Sequence, residues 1–279
     1  MSGVMMTKNE KLILLTNDDG IRSPGLWAAA EGLSKLGFVV VAAPREQSSG
    51  AGRSMPIESD GRLTEEQITV GGKTWKVYAV GGSPAQAVQH GILELLPRCP
   101  DLVVAGINYG ENLTVGVTIS GTVGAALEGA AAGVPALAVS LEMSQQDFLS
   151  YSETVDFSAA TYFTCHFASR LLEMPSSPDV DVLKVDVPRD ATPETPWVMT
   201  RLSRQKYYIP KAPRRTDLGE SVKIGYDVVL DETNLEPDSD VYAICVARKV
   251  SVTPLSLDLT SRAEFNEIER ILRAAPGQC

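Results

Sequence analysis

Four short apolar runs constrain this chain most: "KLILLT" at 11–16, "FVVVAAP" at 38–44, "DLVVAGIN" at 101–108 and "VPALAVSL" at 134–141. Each lacks polar alternation, so each reads as a strand buried on both faces. Helical patterns separate them. "SPGLWAAAEGLSKLG" opens with Ser23 as a cap and Pro24 in the first turn, and Gly37 stops it. "SPAQAVQHGILELL" repeats the Ser-Pro start, and "SGTVGAALEGAAAG" is a helix rich in Ala and Gly. Strands alternating with helices imply an α/β fold: a mainly parallel sheet, helices on both faces, right-handed crossovers. Ligands of such sheets collect at the carboxyl ends of the strands. The polar loops 16–23, 44–54 and 106–120 all fall at that edge.

Residues 55–80 read as short β segments turning at "DG" and "GG" and closing with "WKVYAV". Residues 153–174 read as a further helix and "DVLKVDVP" as a further strand. From about 195 the chain becomes polar and β-like, ending in "SVTPLSLDLT" and an amphipathic helix "SRAEFNEIERILR" capped by Ser261. The expected division is a catalytic domain over 1–194 and a β-rich extension with a C-terminal helix over 195–279. Such an arm suits packing on a second subunit, so a homo-oligomer is expected.

The chain has 279 residues and a net charge of −10, which argues against a nucleic acid polymer as partner. Cys99, Cys165, Cys245 and Cys279 form no CxxC pair and read as reduced thiols. His90 and His166 lack a partner at ligand spacing, so a histidine-rich metal site is not expected. "MSGVMMTKNE" has no signal-like apolar region and no stretch is long enough to span a membrane, so a cytoplasmic protein is expected.

"NDDG" at 17–20 sets two carboxylates side by side at the end of a buried strand. Asp18 and Asp19 repel unless a cation sits between them. They can share one only if the strand has ended, because successive strand side chains point to opposite faces. Asn17 and Gly20 are turn residues and permit that. Ser48 and Ser49 add hydroxyls in the second loop, and Asn108 and Asn112 add amide oxygens in the third. Hard oxygen donors without Cys or His suit Mg²⁺, Mn²⁺ or Ca²⁺. "SGT" at 120–122 is an anion site in waiting: Ser120 as N-cap, Gly121 for close approach, Thr122 for its hydroxyl, and the helix N-terminus behind them. Arg45 and Arg53 read as surface residues by default. No GxGxxG follows the first strand, which lowers the case for a dinucleotide oxidoreductase. A hard ion beside an anion cradle points to phosphate ester chemistry.

Together, "ILLTNDDGIRSPGL", "VAAPREQSSGAGRS", "VGGSPAQAV", "DLVVAGINYGENL", "SGTVGAALEGAAAGVPALAVSL", "LKVDVP" and "VSVTPLSLDLT" closely resemble the survival protein SurE family across nearly the whole chain. The resemblance implies a Rossmann-like α/β domain and a C-terminal extension exchanged within a homodimer or homotetramer. It implies a metal-dependent phosphatase acting on nucleoside 5′- and 3′-monophosphates, and on short polyphosphate in some members. Carried over, one Mg²⁺ or Mn²⁺ per subunit is held by Asp18, Asp19, Ser49 and Asn108. Asn112, Ser120, Gly121 and Thr122 match the family's phosphate-contacting positions. Asp19, with Asp18 beside it, is the candidate for water activation. The loop "LTVGVTI" between Asn112 and Ser120 carries none of the acidic and aromatic residues that many relatives have there. Two other readings are open: an aspartyl nucleophile at the end of the first strand, and a nucleotide-binding regulator without turnover.

Overall fold

A computed structural model describes residues 7, 9–143, 155–174 and 177–273; residues 1–6, the expected helix start at 153–154, and Cys279 lie outside the described residues. β1 (Leu12–Thr16) is buried at every position. It leads to α1 (Pro24–Leu33), β2 (Phe38–Pro44), the hairpin β3 (Leu63–Val70) and β4 (Lys73–Val80), and α2 (Pro84–His90). Then come β5 (Leu102–Tyr109), α3 (Gly121–Ala131), β6 (Ala136–Leu141), α4 (Ser158–Glu173) and β7 (Val182–Val187). The chain ends with β8 (Trp197–Met199), β9 (Tyr208–Lys211), β10 (Gly225–Val228), β11 (Val250–Leu255) and α5 (Phe265–Arg273).

Among the described residues, nine strands form one sheet in the order β3-β4-β2-β1-β5-β6-β7-β11-β8. From β4 through β7 every neighbouring pair is parallel, with β3 and β11 antiparallel to their inner neighbours. The sheet is therefore the mainly parallel, Rossmann-like one expected, with C-terminal strands added. Residues 197–199 and 250–255 return to this main sheet, while β9 and β10 pair apart from it. The strand order reverses at β1 and β5, which opens a crevice at their carboxyl ends.

Alternation along β1 divides the core. Ile13 and Leu15 pack with α1 and α4 on one face; Leu14 packs with α2 and α3 on the other. Each fully buried Leu or Ile there contributes roughly 1.5–3 kcal/mol. Among the described residues no helix is long and apolar enough to cross a membrane.

Several local expectations shift. Ser23 holds the N-cap position of α1, but its hydroxyl makes no cap hydrogen bond, and the helix ends at Leu33 rather than Gly37. Pro24 in the first turn and the backbone bonds of Ser23, from its N–H to Gly20 O at 3.0 Å and from Trp27 N to its carbonyl at 3.3 Å, set the helical entry. Ser261 accepts from Ala263 N at 3.2 Å, and α5 begins only at Phe265. By contrast, Ser83 forms a reciprocal capping box with Gln86.

Helix α1 lies tightly on β5: a Cβ at Gly25 would sit 2.1 Å from the Ile107 carbonyl oxygen. Backbone cannot yield as a flexible side chain would. Gly25→Ala should therefore cost about 1–3 kcal/mol, the range for overpacking, read as a lower urea midpoint with an unchanged m-value.

Candidate active site

The chain turns immediately after β1. Asn17 Nδ2 donates to the Gly20 carbonyl at 2.9 Å, and Gly20 has φ +92°, a conformation open to glycine without steric cost. Ile21 N then bonds the Pro44 carbonyl at 2.9 Å, fastening the turn to the end of β2. The strand has thus ended before the two aspartates, as their sharing of one site requires.

Three segments converge on the pair. Asp18 is buried, and its Oδ1 accepts from Thr122 Oγ1 at 2.8 Å. Its main-chain carbonyl accepts from Ser48 N at 2.6 Å, which brings in the second loop. Asp19 Oδ2 accepts from Tyr109 N at 3.1 Å, which brings in the end of β5. The N-terminus of α3 faces Asp18, with Gly121 against it and the Thr122 hydroxyl bonded to that carboxylate. A helix N-terminus favours negative charge there. Gly121 allows the approach, because a Cβ would lie 2.6 Å from Asp18 Cβ and 2.9 Å from its Oδ2.

The other expected residues are distributed around this centre. Ser120 is the N-cap of α3, its Oγ accepting from Val123 N at 3.2 Å. Ser49 is exposed, its hydroxyl accepting from Gln47 Nε2 at 2.7 Å. Asn108 is buried just past an irregularity in the β5–β6 pairing. Its Nδ2 donates to the Gly110 carbonyl at 2.6 Å and to that of Tyr109 at 3.3 Å, and among the described residues Oδ1 takes no hydrogen bond. Asn112 is directed elsewhere: Nδ2 donates to Ser140 Oγ on β6 at 2.8 Å, and among the described residues no hydrogen bond joins it to Asp18 or Asp19. Arg45 pairs with Asp60 at 2.8 Å and Arg53 with Glu128 at 2.7 Å. A cavity of about 580 Å³ opens beside Ser48 and Ser49, bordered by Arg45, Glu58, Asp60 and Gly82.

The electrostatics are unbalanced. Burial pushes the Asp18 carboxyl up to about 6, against the hydrogen bonds from Thr122 and Asp19 that lower it. Burial, and then the charge of Asp18, push Asp19 up to about 8. Among the described residues no cationic side chain relieves either one. Two such carboxylates fit a divalent cation, which would compensate their charge. Among the described residues no group of three or more His, Cys, Asp or Glu is placed to hold an ion. A cation at the pair would therefore complete its shell with neutral oxygens, the kind of donor that Ser49 and Asn108 carry.

Sequence reading missed the Tyr109 amide, the Thr122–Asp18 bond, and a buried group formed by Lys184, Asp186 and Asp240. The last had a visible sign. "LKVDV" places a lysine and an aspartate two apart, hence on one face, inside a strand otherwise apolar.

Comparison with known proteins agrees with this architecture. Residues 13–209 match the family model of survival protein SurE. The chain is 40% identical over 264 residues to the 5′-nucleotidase SurE of Thermococcus kodakarensis, covering 95% of this chain and 99% of that protein. It is 40% identical over 266 residues to the 5′-nucleotidase SurE of Methanocella arvoryzae, covering 94% and 97%. The crystal structure of the SurE protein from Aquifex aeolicus superposes with a TM-score of 0.72 at 31% identity, over 94% of this chain and 99% of that one.

The raised carboxyls predict a pH effect on metal-free protein. Unfolded, both aspartates sit near the ordinary carboxylate value of 3.8; folded, burial pushes Asp18 up to about 6 and Asp19 up to about 8. Between these values the folded state binds more protons, so stability falls as pH rises through the window and levels off above it. Urea melts in EDTA at pH 5 and pH 8 should show a loss in wild type that is smaller in Asp19→Asn. An equal loss in the two proteins would contradict the assignment.

Proposed function

The chain belongs to the survival protein SurE family, and on that footing we propose that it is a 5′-nucleotidase, hydrolysing nucleoside 5′-monophosphates to nucleoside and phosphate. The observation that carries this is the uncompensated Asp18–Asp19 pair facing the N-terminus of α3 at the sheet's switch point, in a chain 40% identical to a 5′-nucleotidase over nearly its whole length. We extend the reading to 3′-monophosphates and short polyphosphate, as the resemblance implies.

In this reading Asp18, Asp19, Ser49 and Asn108 would hold one Mg²⁺ or Mn²⁺ per subunit. When bound, the ion supplies Lewis-acid polarisation of the phosphoryl group. The chain's own groups do the rest. Ser120, Gly121 and Thr122 set the positive end of α3 toward the phosphoryl oxygens. Asp19 takes a proton from the attacking water at its carboxylate. Asn112 Nδ2 carries a second N–H besides the one given to Ser140, and we assign that group a phosphate contact made on binding. The cavity beside Ser49 gives the nucleoside a place next to the reacting group. A reducing cytoplasm suits the free thiols Cys99, Cys165 and Cys245.

We assign residues 195–279 to a β-rich extension used in a homodimer or homotetramer. Its surface supports this: Ile209, Tyr226, Val228 and, on α5, Phe265, Ile271 and Leu272 are exposed apolar side chains. Light scattering at micromolar concentration should give a mass of two or four chains, and a purely monomeric mass would overturn it.

The activity is tested by phosphate release from AMP with Mn²⁺. Asp18→Asn and Asp19→Asn should each lower kcat/KM by roughly a hundredfold or more, the scale of losing one preorganised electrostatic group. EDTA should abolish turnover. Activity that survives EDTA, or survives both substitutions, would sink the metal assignment.

A further inference from the structure

Segment 111–114 links the end of β5 to the turn before α3, and each of its residues is gripped from behind. Glu111 accepts from Tyr207 Oη at 3.2 Å, and its carbonyl accepts from Tyr208 Oη at 2.9 Å. Asn112 is held at both main-chain groups: its N–H donates to Asp186 Oδ1 at 2.8 Å, and its carbonyl accepts from Lys184 Nζ at 2.8 Å. Leu113 is fully buried in an apolar cluster with Tyr207, Leu235, Val241 and Ile244. Thr114 N donates to Asp240 Oδ2 at 2.9 Å.

Lys184 joins these contacts. Its ammonium is fully buried, 2.5 Å from Asp186 and 3.3 Å from Asp240. Asp240 in turn accepts from the amides of Ser203 and Val241, which roots it in the C-terminal extension. Thr114 is strained, with φ +60° in a residue that is not glycine. Such a conformation persists only where its surroundings over-determine it. Buried ion groups of this kind add little net stability against an apolar core; specifying one arrangement is their best-supported use.

The consequence falls on the other side of the segment. Gly110, two residues before the gripped Asn112, supplies the carbonyl that turns the Asn108 amide, and Tyr109 N binds Asp19. We propose that Lys184, Asp186 and Asp240 form a latch through which the C-terminal extension positions residues 108–110 against Asp19. The latch acts within one chain, apart from any packing between subunits. It rests on the nucleotidase reading for its purpose, though not for its existence. The three residues are positioning residues and touch neither substrate nor metal ligands directly.

Asp240→Asn is the sharpest probe. Its Oδ1 still accepts from Ser203 and Val241, but an amide nitrogen cannot accept from Thr114 or pair with Lys184. We expect hydrogen exchange at residues 112–116 to become about tenfold faster or more, while β5 and β6 amides stay protected. We expect kcat/KM for AMP to fall about tenfold, within the scale of a small misplacement, and half-activation to require more Mn²⁺. In an Asn108→Ala background Asp240→Asn should cost clearly less than in wild type, because part of its effect runs through Asn108 and only the Tyr109–Asp19 part remains. Where turnover there is below detection, Mn²⁺ affinity is read instead. If Asp240→Asn does not fold, the Lys184→Gln/Asp186→Asn/Asp240→Asn protein, in which all three members are uncharged, serves in its place. Unchanged exchange at 112–116 overturns the latch whatever the activity. Faster exchange with unchanged kcat/KM, or an equal loss in both backgrounds, overturns its role at the site. A wild type that releases no phosphate from AMP defeats the nucleotidase reading, and the exchange arm still decides whether the latch exists.

Discussion

Two like charges set side by side in a largely buried place are the constraint on which this structure turns. In water two such carboxylates would repel weakly; inside a protein the same pair costs several-fold more. Burial lifts both carboxyls well above their ordinary range, and the surrounding elements supply only partial relief. Thr122 and the start of α3 face Asp18, and the Tyr109 amide serves Asp19. The turn after β1, the glycine at 121 and the reversal of strand order at β5 are the geometry that allows those groups to reach one point. That imbalance is what the divalent cation we propose would relieve, beside a helix N-terminus that favours anions.

The C-terminal part of the chain has two relations to that site. Its exposed apolar side chains are the basis of the oligomer we propose. Its buried polar contacts run inward: Tyr207, Tyr208 and Asp240 reach the segment that follows Asn108. The return of β11 to the main sheet beside β7 explains how this is possible. It sets the extension against the strand that carries Lys184 and Asp186, close enough for one ammonium to bridge both.

Much of this was legible in the residues. The apolar runs at 11–16, 38–44, 101–108 and 134–141 became parallel neighbours or near neighbours, because a strand buried on both faces admits little polarity anywhere along its length. "NDDG" was legible as a turn for the same reason its aspartates were suspicious: neither Asn-Asp-Asp-Gly nor a carboxylate pair belongs inside a strand. Less legible was what each polar group would choose as partner. Ser23 stands in a cap position without capping, and Asn112 turns to Ser140. Thr122 spends its hydroxyl on Asp18. Local pattern says where a side chain leaves the backbone, and only its surroundings decide which of several competing hydrogen bonds it makes.

The sequence by itself determined the class of fold, the edge of the sheet where the three polar loops gather and the oxygen-bearing side chains they carry. Those follow from hydrophobic periodicity, turn chemistry and donor type, which are properties of short stretches. The tertiary structure alone decided that Asp240, more than fifty residues from Lys184, would share its buried ammonium, and that "SGT" would face Asp18. Pairings across such separations depend on strand order and on how the extension returns to the sheet, and no local pattern encodes either.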